Sequence, residues 1–368
     1  MPVLAKPNLD KLSNKRLTKE EALSLYSIDL IELGDLANEA RRKYYPDSKP
    51  ITFIIDRNIN YSNICTAACR FCAFAFWPGD KRGYVNSHEV IYQKTKELVD
   101  LGGTQLLLQG GHNPELKIEY YEDLFKKLKK DFSGITLHAL SPSEIDHICN
   151  VSELSTEACI KRLITAGLNS IPGGGAEILV DRVRNILSPL KIKSDRWLDV
   201  MRTAHKLGLK TTATMMFGHV ETLEERIEHM DKIRQLQDET SGFTAFISWP
   251  FQRENNPLGR EIAHGDMTQH VSTDIDYLKT LAISRIYLDN IINFQSSWVT
   301  MGISTGQIAL AFGANDMGGT ILEENVVSAA GTLCKATLKE IIHAIHATGR
   351  DAAQRDTQYN ILKVIPQM

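Results

Sequence analysis

The sequence predicts an all-parallel (β/α)8 barrel of the TIM type, with a helical extension before it and a closing helix after it. Three observations carry that prediction. Strand-like and amphipathic helical runs alternate seven or eight times, an order that implies a parallel sheet covered by helices. No linker-like stretch divides residues 51–368, so they read as one barrel domain behind an extension over 1–50. The length, 368 residues, suits one large barrel.

The extension is helical over 8–45. Leu23, Tyr26, Leu30, Leu33 and Leu36 recur at helical spacing with charges between them, and Pro46 and Pro50 end it. The first strand is 51–55 and leads into a loop with three cysteines. A helix over 87–101 follows, closed by Gly102 and Gly103. Strand 105–109 ends in Gly110 and Gly111, and helix 119–130 comes next. Strand 135–139 precedes helix 155–166, which Ser155 or Thr156 can cap. The fourth unit holds Gly173, Gly174, Gly175 and Glu177 before helix 194–207. Strand 210–217 ends at Gly218 and helix 222–237 follows, with Leu223, Ile227, Met230, Ile233 and Leu236 on one face. Strand 243–249, a Pro- and Asn-rich loop over 250–259 and helix 273–284 form the sixth unit. Strand 291–298, a short helix 306–312, strand 316–320 and a closing helix 338–348 complete the barrel. In such barrels the functional groups lie on loops at the C-terminal ends of the strands, which places the cysteine loop at that mouth.

Composition narrows the function. A formal charge of −3 offers no basic face for nucleic acid. No apolar run reaches the roughly 18 residues of a membrane helix, and the first residues lack the apolar core of a signal peptide. Six cysteines over this length do not make a disulfide framework. The expected setting is the cytoplasm, with a small-molecule substrate and neither nucleic acid nor membrane as partner. Cys149, Cys159 and Cys334 read as structural.

Cys65, Cys69 and Cys72 stand apart at Cys-x-x-x-Cys-x-x-Cys spacing. Thiolate is the soft ligand of iron–sulfur clusters. Three thiolates can hold three irons of a four-iron cluster and leave the fourth open for chemistry. An electron-transfer cluster or a structural zinc site normally takes four protein ligands, and no second cysteine pair completes one here. Those two readings stand as the alternatives.

Other residues at strand ends are candidates. Gly110 and Gly111 let backbone approach a ligand without a Cβ in the way. The glycines before Glu177 lack the lysine and hydroxyl of a phosphate loop. Glu177 itself can accept from a ribose or an ammonium, or simply begin a helix. His138 on its strand and His219 after Gly218 are either buried core histidines or catalytic. Arg253 can pair with a substrate carboxylate or stand exposed. Asn315 and Asp316 are candidate contacts to sugar hydroxyls.

The cysteine spacing, with Phe71 just before the third cysteine, resembles the radical S-adenosylmethionine (SAM) superfamily. That resemblance implies a [4Fe-4S] cluster on Cys65, Cys69 and Cys72 whose open iron binds the amino and carboxylate groups of SAM. It implies one-electron cleavage of SAM to methionine and a 5'-deoxyadenosyl radical, and an electron donor such as flavodoxin or ferredoxin. It also places Phe71, Gly110, Gly111 and Glu177 around SAM. Arg57-Asn-Ile-Asn-Tyr-Ser-Asn63, Leu137-His-Ala-Leu-Ser-Pro142, Ile171-Pro-Gly-Gly-Gly-Ala-Glu-Ile178 and Thr212-Ala-Thr-Met-Met-Phe-Gly-His-Val-Glu221 are similar to the menaquinone and deazaflavin branch. The run Phe312-Gly-Ala-Asn-Asp-Met-Gly-Gly-Thr-Ile-Leu-Glu-Glu-Asn-Val-Val327 most resembles the cyclic dehypoxanthinyl futalosine synthase family. The reaction this implies is ring closure of dehypoxanthine futalosine, by hydrogen abstraction at ribose C4' and attack on the benzoate ring. Aminofutalosine synthase and the deazaflavin-forming synthases are the neighbouring alternatives. Ala75-Phe-Trp77 departs from the more polar run expected there.

Overall fold

Every residue from Ile51 to Ile54 is buried, as a strand covered on both faces requires. A computed structural model describes residues 15–263, 272–332 and 334–367 of the chain. The expected start of the helical extension at residue 8 and the reading of the first residues fall outside the described residues. The strands are β1 (Ile51–Ile54), β2 (Asp56–Asn60), β3 (Gln105–Gln109), β4 (Thr136–Ala139), β5 (Ser170–Ile171) and β6 (Lys210–Phe217). They continue with β7 (Phe243–Pro250), β8 (Asn293–Gln295), β9 (Asp316–Gly319), β10 (Ala352–Arg355) and β11 (Ile361–Ile365).

The sheet closes through one bent strand. Ile55 alone separates β1 from β2. β2 pairs in parallel with β3, and parallel pairings then run through β4, β5, β6, β7 and β8 to β9. β9 returns to β1. The chain thus walks round eight parallel strands and meets itself at Ile55, as the barrel prediction requires. Helices His88–Asp100, Ile118–Asp131, Thr156–Ala166, Ser194–Lys206, Leu223–Thr240 and Asp274–Tyr287 follow successive strands, near their expected places. Helices Lys19–Ser24 and Leu30–Arg42 form the extension.

The structure adds elements the sequence reading lacks. The first strand does not stop at Ile55; β2 carries it on through Asn60, although Asp56-Arg-Asn-Ile-Asn60 is polar. Helix Pro142–Val151 begins on a capping box of Ser141 and Glu144. Helices Asp181–Leu187 and Pro257–Ala263 occupy segments read as loop. The closing helix, Leu338–His346, does not end the chain. An antiparallel hairpin, β10 with β11, follows, and β10 pairs with β1 on the side away from β9. Gln354 Nε2 donates to the Gly102 carbonyl at 2.9 Å, so the hairpin wedges beneath β3 and floors the barrel.

That floor is held by charge. Arg355 and Asp316 are fully buried and pair through two bonds, Nε to Oδ2 at 2.5 Å and Nη2 to Oδ1 at 2.9 Å. Burial alone would weaken the guanidinium's charge; Asp316 beside it raises its pKa instead. Removing one partner leaves the other charge buried and alone. Asp316→Asn is therefore expected to cost about 3–5 kcal/mol, read as a lower urea midpoint with an unchanged slope.

Candidate active site

The loop after β2 carries Cys65, Cys69 and Cys72, all half-buried free thiols. Backbone bonds hold it in place. Cys65 N donates to the Phe76 carbonyl at 2.9 Å, Thr66 N to the His112 carbonyl at 3.1 Å, and Arg70 N to the Leu187 carbonyl at 2.8 Å. Gly110 and Gly111 are part of the same clamp. A Cβ on Gly110 would come within 2.6 Å of the Tyr61 ring, and one on Gly111 within 2.1 Å of the Ile64 carbonyl oxygen. The glycines are needed because the cysteine loop lies against them. Glu144, buried and raised in pKa by that burial, ties the clamp together. It accepts from Tyr61 Oη at 2.7 Å, Gly110 N at 2.9 Å and Ser141 N at 2.7 Å. The sequence reading missed it; its signal was the Ser-x-x-Glu pattern after Ala139.

The three thiols border one cavity of about 320 Å3. Among the described residues, no three His, Cys, Asp or Glu side chains are placed to hold a single metal ion. A larger group shared by three thiolates fits the donor set better. Burial pushes the Cys69 thiol up to about 12, with Lys191 opposing. Burial also raises Cys72, against backbone N–H donors of Phe74 and Ala75. Ala67 N donates to Cys65 Sγ at 3.4 Å. Soft donors at a half-buried rim, with amides aimed at sulfur, suit an iron–sulfur cluster.

The same cavity is lined by Phe71, Gly110, Gly111, Glu177 and Lys191. Gly173 packs against β6, where a Cβ would meet the Thr212 carbonyl oxygen at 2.7 Å, and the following turn delivers Glu177 at a positive φ of 43°. Lys191 Nζ donates to Glu177 Oε1 at 3.1 Å, and Arg184 Nη1 stands 3.6 Å from Oε2. Oε2 is buried without a hydrogen-bond partner and faces the Arg184 guanidinium, while the Glu177 side chain lines the cavity. Lys191 was not singled out from sequence. It lies 5.5 Å from the Phe71 ring centroid. Burial works against its charge, but Cys69 and Glu177 raise its pKa.

A deeper chamber of about 250 Å3 lies inside the barrel. The two spaces share Asn58, Gln109, Gly174, Trp249, Glu324 and Val327 as lining, so they adjoin. Asn58, Gln105, Gln109, Thr212, Thr214 and Gln295 give the chamber polar groups, and Leu107, Trp249 and Trp298 give it apolar walls. His138 lines it from β4, with Arg355 and Tyr359 from the hairpin.

Other expected site residues lie elsewhere. Asn315 is no sugar contact: it is fully buried, and Oδ1 accepts from Arg285 Nη2 at 2.6 Å and Phe294 N at 3.0 Å. Asp316 is likewise spent on Arg355, Thr52 and Gly318 N. His219 is buried, with Nε2 on the Met216 carbonyl at 2.9 Å and Nδ1 receiving Val220 N at 2.7 Å. Nδ1 also stands 2.8 Å from the buried Glu221 Oε2; both nitrogens are engaged within the protein and neither space is lined by the ring, which makes it structural. Arg253 is half-buried and lines neither space. Cys149 and Cys159 are buried in helices away from the loop.

Residues 59–233 match the radical SAM superfamily, and residues 240–368 match the CofH/MqnC C-terminal region. A cyclic dehypoxanthine futalosine synthase of Halalkalibacterium halodurans is 48% identical over 96% of this chain and 93% of its own. One from Streptomyces coelicolor is 45% identical over 97% and 89%. A 5-amino-6-(D-ribitylamino)uracil–L-tyrosine 4-hydroxyphenyl transferase of Methanococcoides burtonii is 44% identical over 94% and 96%. Among solved structures, the methylornithine synthase PylB superposes with a TM-score of 0.72 at 18% identity, over 94% of this chain and 97% of that one. At that identity the likeness speaks for the fold.

Proposed function

The chain belongs to the branch of the radical SAM superfamily that includes the cyclic dehypoxanthine futalosine synthases, and we propose that it closes the ring of dehypoxanthine futalosine on the way to menaquinone. The observation that carries this reading is the pair of adjoining spaces. A three-thiol rim borders one, and the other has a polar and aromatic lining that suits a ribose and a benzoate ring.

On this reading Cys65, Cys69 and Cys72 hold a four-iron cluster and leave one iron open. When bound, that cluster supplies the electron that splits SAM into methionine and a 5'-deoxyadenosyl radical. Gly110 and Gly111 keep the rim closely packed beside the SAM site, Phe71 flanks it, and the Glu177 carboxylate accepts from SAM. Asn58, Gln109 and Thr214 face the ribose, and Trp249 and Trp298 wall the aromatic ring. Walls that exclude water keep a carbon radical from side reactions. Held in one chamber, radical and ring gain the rate advantage of intramolecular geometry. A reduced flavodoxin or ferredoxin is the proposed donor. Among the described residues no helix is long and apolar enough to cross a membrane.

The deciding experiment is anaerobic turnover of reconstituted enzyme with SAM, reductant and dehypoxanthine futalosine. The expected product is two hydrogens lighter than the substrate. The 44% identity to the archaeal transferase keeps a second reading in play. Turnover of L-tyrosine with 5-amino-6-(D-ribitylamino)uracil, and none of dehypoxanthine futalosine, would establish that one instead.

Glu177 has its own test. Glu177→Gln preserves shape but removes the charge behind the SAM contact. A charge-assisted bond is worth about 1.5–3 kcal/mol, or roughly ten- to a hundredfold in affinity. Calorimetry should show that loss with iron content unchanged; an unaltered Kd would return Glu177 to a purely structural role.

A further inference from the structure

Ser170 fixes the tautomer of His138. The Ser170 hydroxyl donates its one proton to the Lys210 carbonyl at 2.7 Å, and a carbonyl can only accept. The 2.9 Å contact between Ser170 Oγ and His138 Nδ1 must then be donated by the ring. Nδ1 carries the proton, and a neutral imidazole leaves Nε2 as a bare lone pair. Burial keeps the ring neutral, pushing its pKa down to about 3, and Arg355 adds to the effect. Among the described residues no group donates to Nε2. Nor is Nε2 one of the buried polar atoms sealed off without a partner. His138 lines the chamber, so that lone pair opens on it.

Two carboxylates also line this space. Glu324 is spent on backbone, accepting from Val326 N and Val327 N at 2.9 Å and from Ser328 N at 2.7 Å. Asp56 is pushed up to about 6 by burial, but its carboxylate is already engaged. It accepts from Ile321 N at 2.9 Å and Gln105 Nε2 at 3.3 Å, and a Cβ on Gly319 would come within 2.3 Å of it. In the strand register Asp56 pairs with Gln105, whereas Leu107 pairs with His138. His138 therefore lies two residues nearer the cysteine mouth, with its acceptor unspent.

Resting on the ring closure proposed above, we infer that His138 Nε2 is the base that takes the ring proton when aromaticity is restored. Attack of the C4' radical on the benzoate ring forms the new carbon–carbon bond and leaves a delocalised ring radical. The C–H bond at the attacked carbon then breaks. Its proton goes to Nε2, its electron pair returns to the ring, and the odd electron leaves to a one-electron acceptor of the iron–sulfur class. Imidazolium so formed gives the proton up once product leaves.

Two measurements test this on the full-length holoenzyme. The first needs no turnover. In 15N-histidine-labelled protein, the ring missing from His138→Gln identifies His138, and its Nδ1 should be protonated and its Nε2 not. A protonated Nε2 in the neutral ring overturns the assignment. The second reads coupling. His138→Gln still accepts a hydrogen bond but cannot take a proton. 5'-Deoxyadenosine should still form on substrate addition, while cyclic product per 5'-deoxyadenosine falls about a hundredfold or more, as for loss of a general base. Free imidazole added to His138→Ala should restore the ratio. A purely structural role would lower both products together and leave the ratio near one, which overturns the proposal, as does uncoupling in Asp56→Asn but not in His138→Gln. Failure of the wild type to make cyclic product at all would instead reject the ring-closing function.

Discussion

Cys69→Ala should reduce SAM cleavage to background. Cys69 is the middle thiol of the three, and burial pushes it up to about 12, so a metal that binds it must displace its proton. No other cysteine can step in. Cys149 and Cys159 are buried in helices outside the rim. Cys334 lies beside Gly302, away from the cavity. Iron and sulfide per chain should fall with activity, and the visible absorbance of the cluster should be lost. Cys149→Ala should keep both. A Cys69→Ala protein that still yields 5'-deoxyadenosine would mean that the cluster is held by other groups.

Substrate deuterated at ribose C4' should pass its label to 5'-deoxyadenosine, in a one-to-one ratio with a cyclic product two hydrogens lighter than its precursor. The reason is the placement proposed above: with SAM at the thiol rim and the substrate in the adjoining chamber, the shared lining of Asn58, Gln109 and Trp249 would let the two meet end to end. A radical arriving from that end takes a hydrogen and departs as free 5'-deoxyadenosine. An enzyme that instead adds the adenosyl group to its substrate would release none. Mass spectrometry separates the two outcomes: label in 5'-deoxyadenosine supports cyclisation, whereas an adenosyl-bearing product moves the assignment to an aminofutalosine synthase type of chemistry.

The barrel was legible because most of its strands obey a simple rule. Gln105–Gln109 has an apolar centre and Lys210–Phe217 is rich in β-branched and apolar residues, and glycine ends both, as buried parallel strands often read. β2 escaped because its inward residues, Asp56, Asn58 and Asn60, face a chamber rather than a packed interior. A strand that lines a binding site carries the polarity of a loop. The hairpin escaped for the opposite reason: Arg355 looks like a surface residue until Asp316 is placed beside it. The same pairing explains why Asn315 and Asp316 misled. Polar residues at a strand end mark a site only when no buried cation claims them. Cys65, Cys69 and Cys72 were readable from spacing alone. Lys191 was not, since it comes from a turn after Asp181–Leu187, whose distance from the cysteines in sequence hides its place beside Glu177.

The bend at Ile55 gives one strand two partners made at very different times. Asp56–Asn60 can pair with Gln105–Gln109 soon after both leave the ribosome. Thr52 must wait for Asp316, 264 residues further on. Until then the barrel has an open edge, and open edges recruit other chains. Contacts so distant in sequence also slow folding. The nascent protein can dock its cysteine loop against Gly110 and Gly111 early, yet it has no chamber. Asp316 arrives to complete the ring, and only Arg355, still later, neutralises the charge that Asp316 brings inside. Folding of the enzyme is thus decided by its C-terminal hairpin, and a chain released short of it keeps a finished mouth over an unfinished floor.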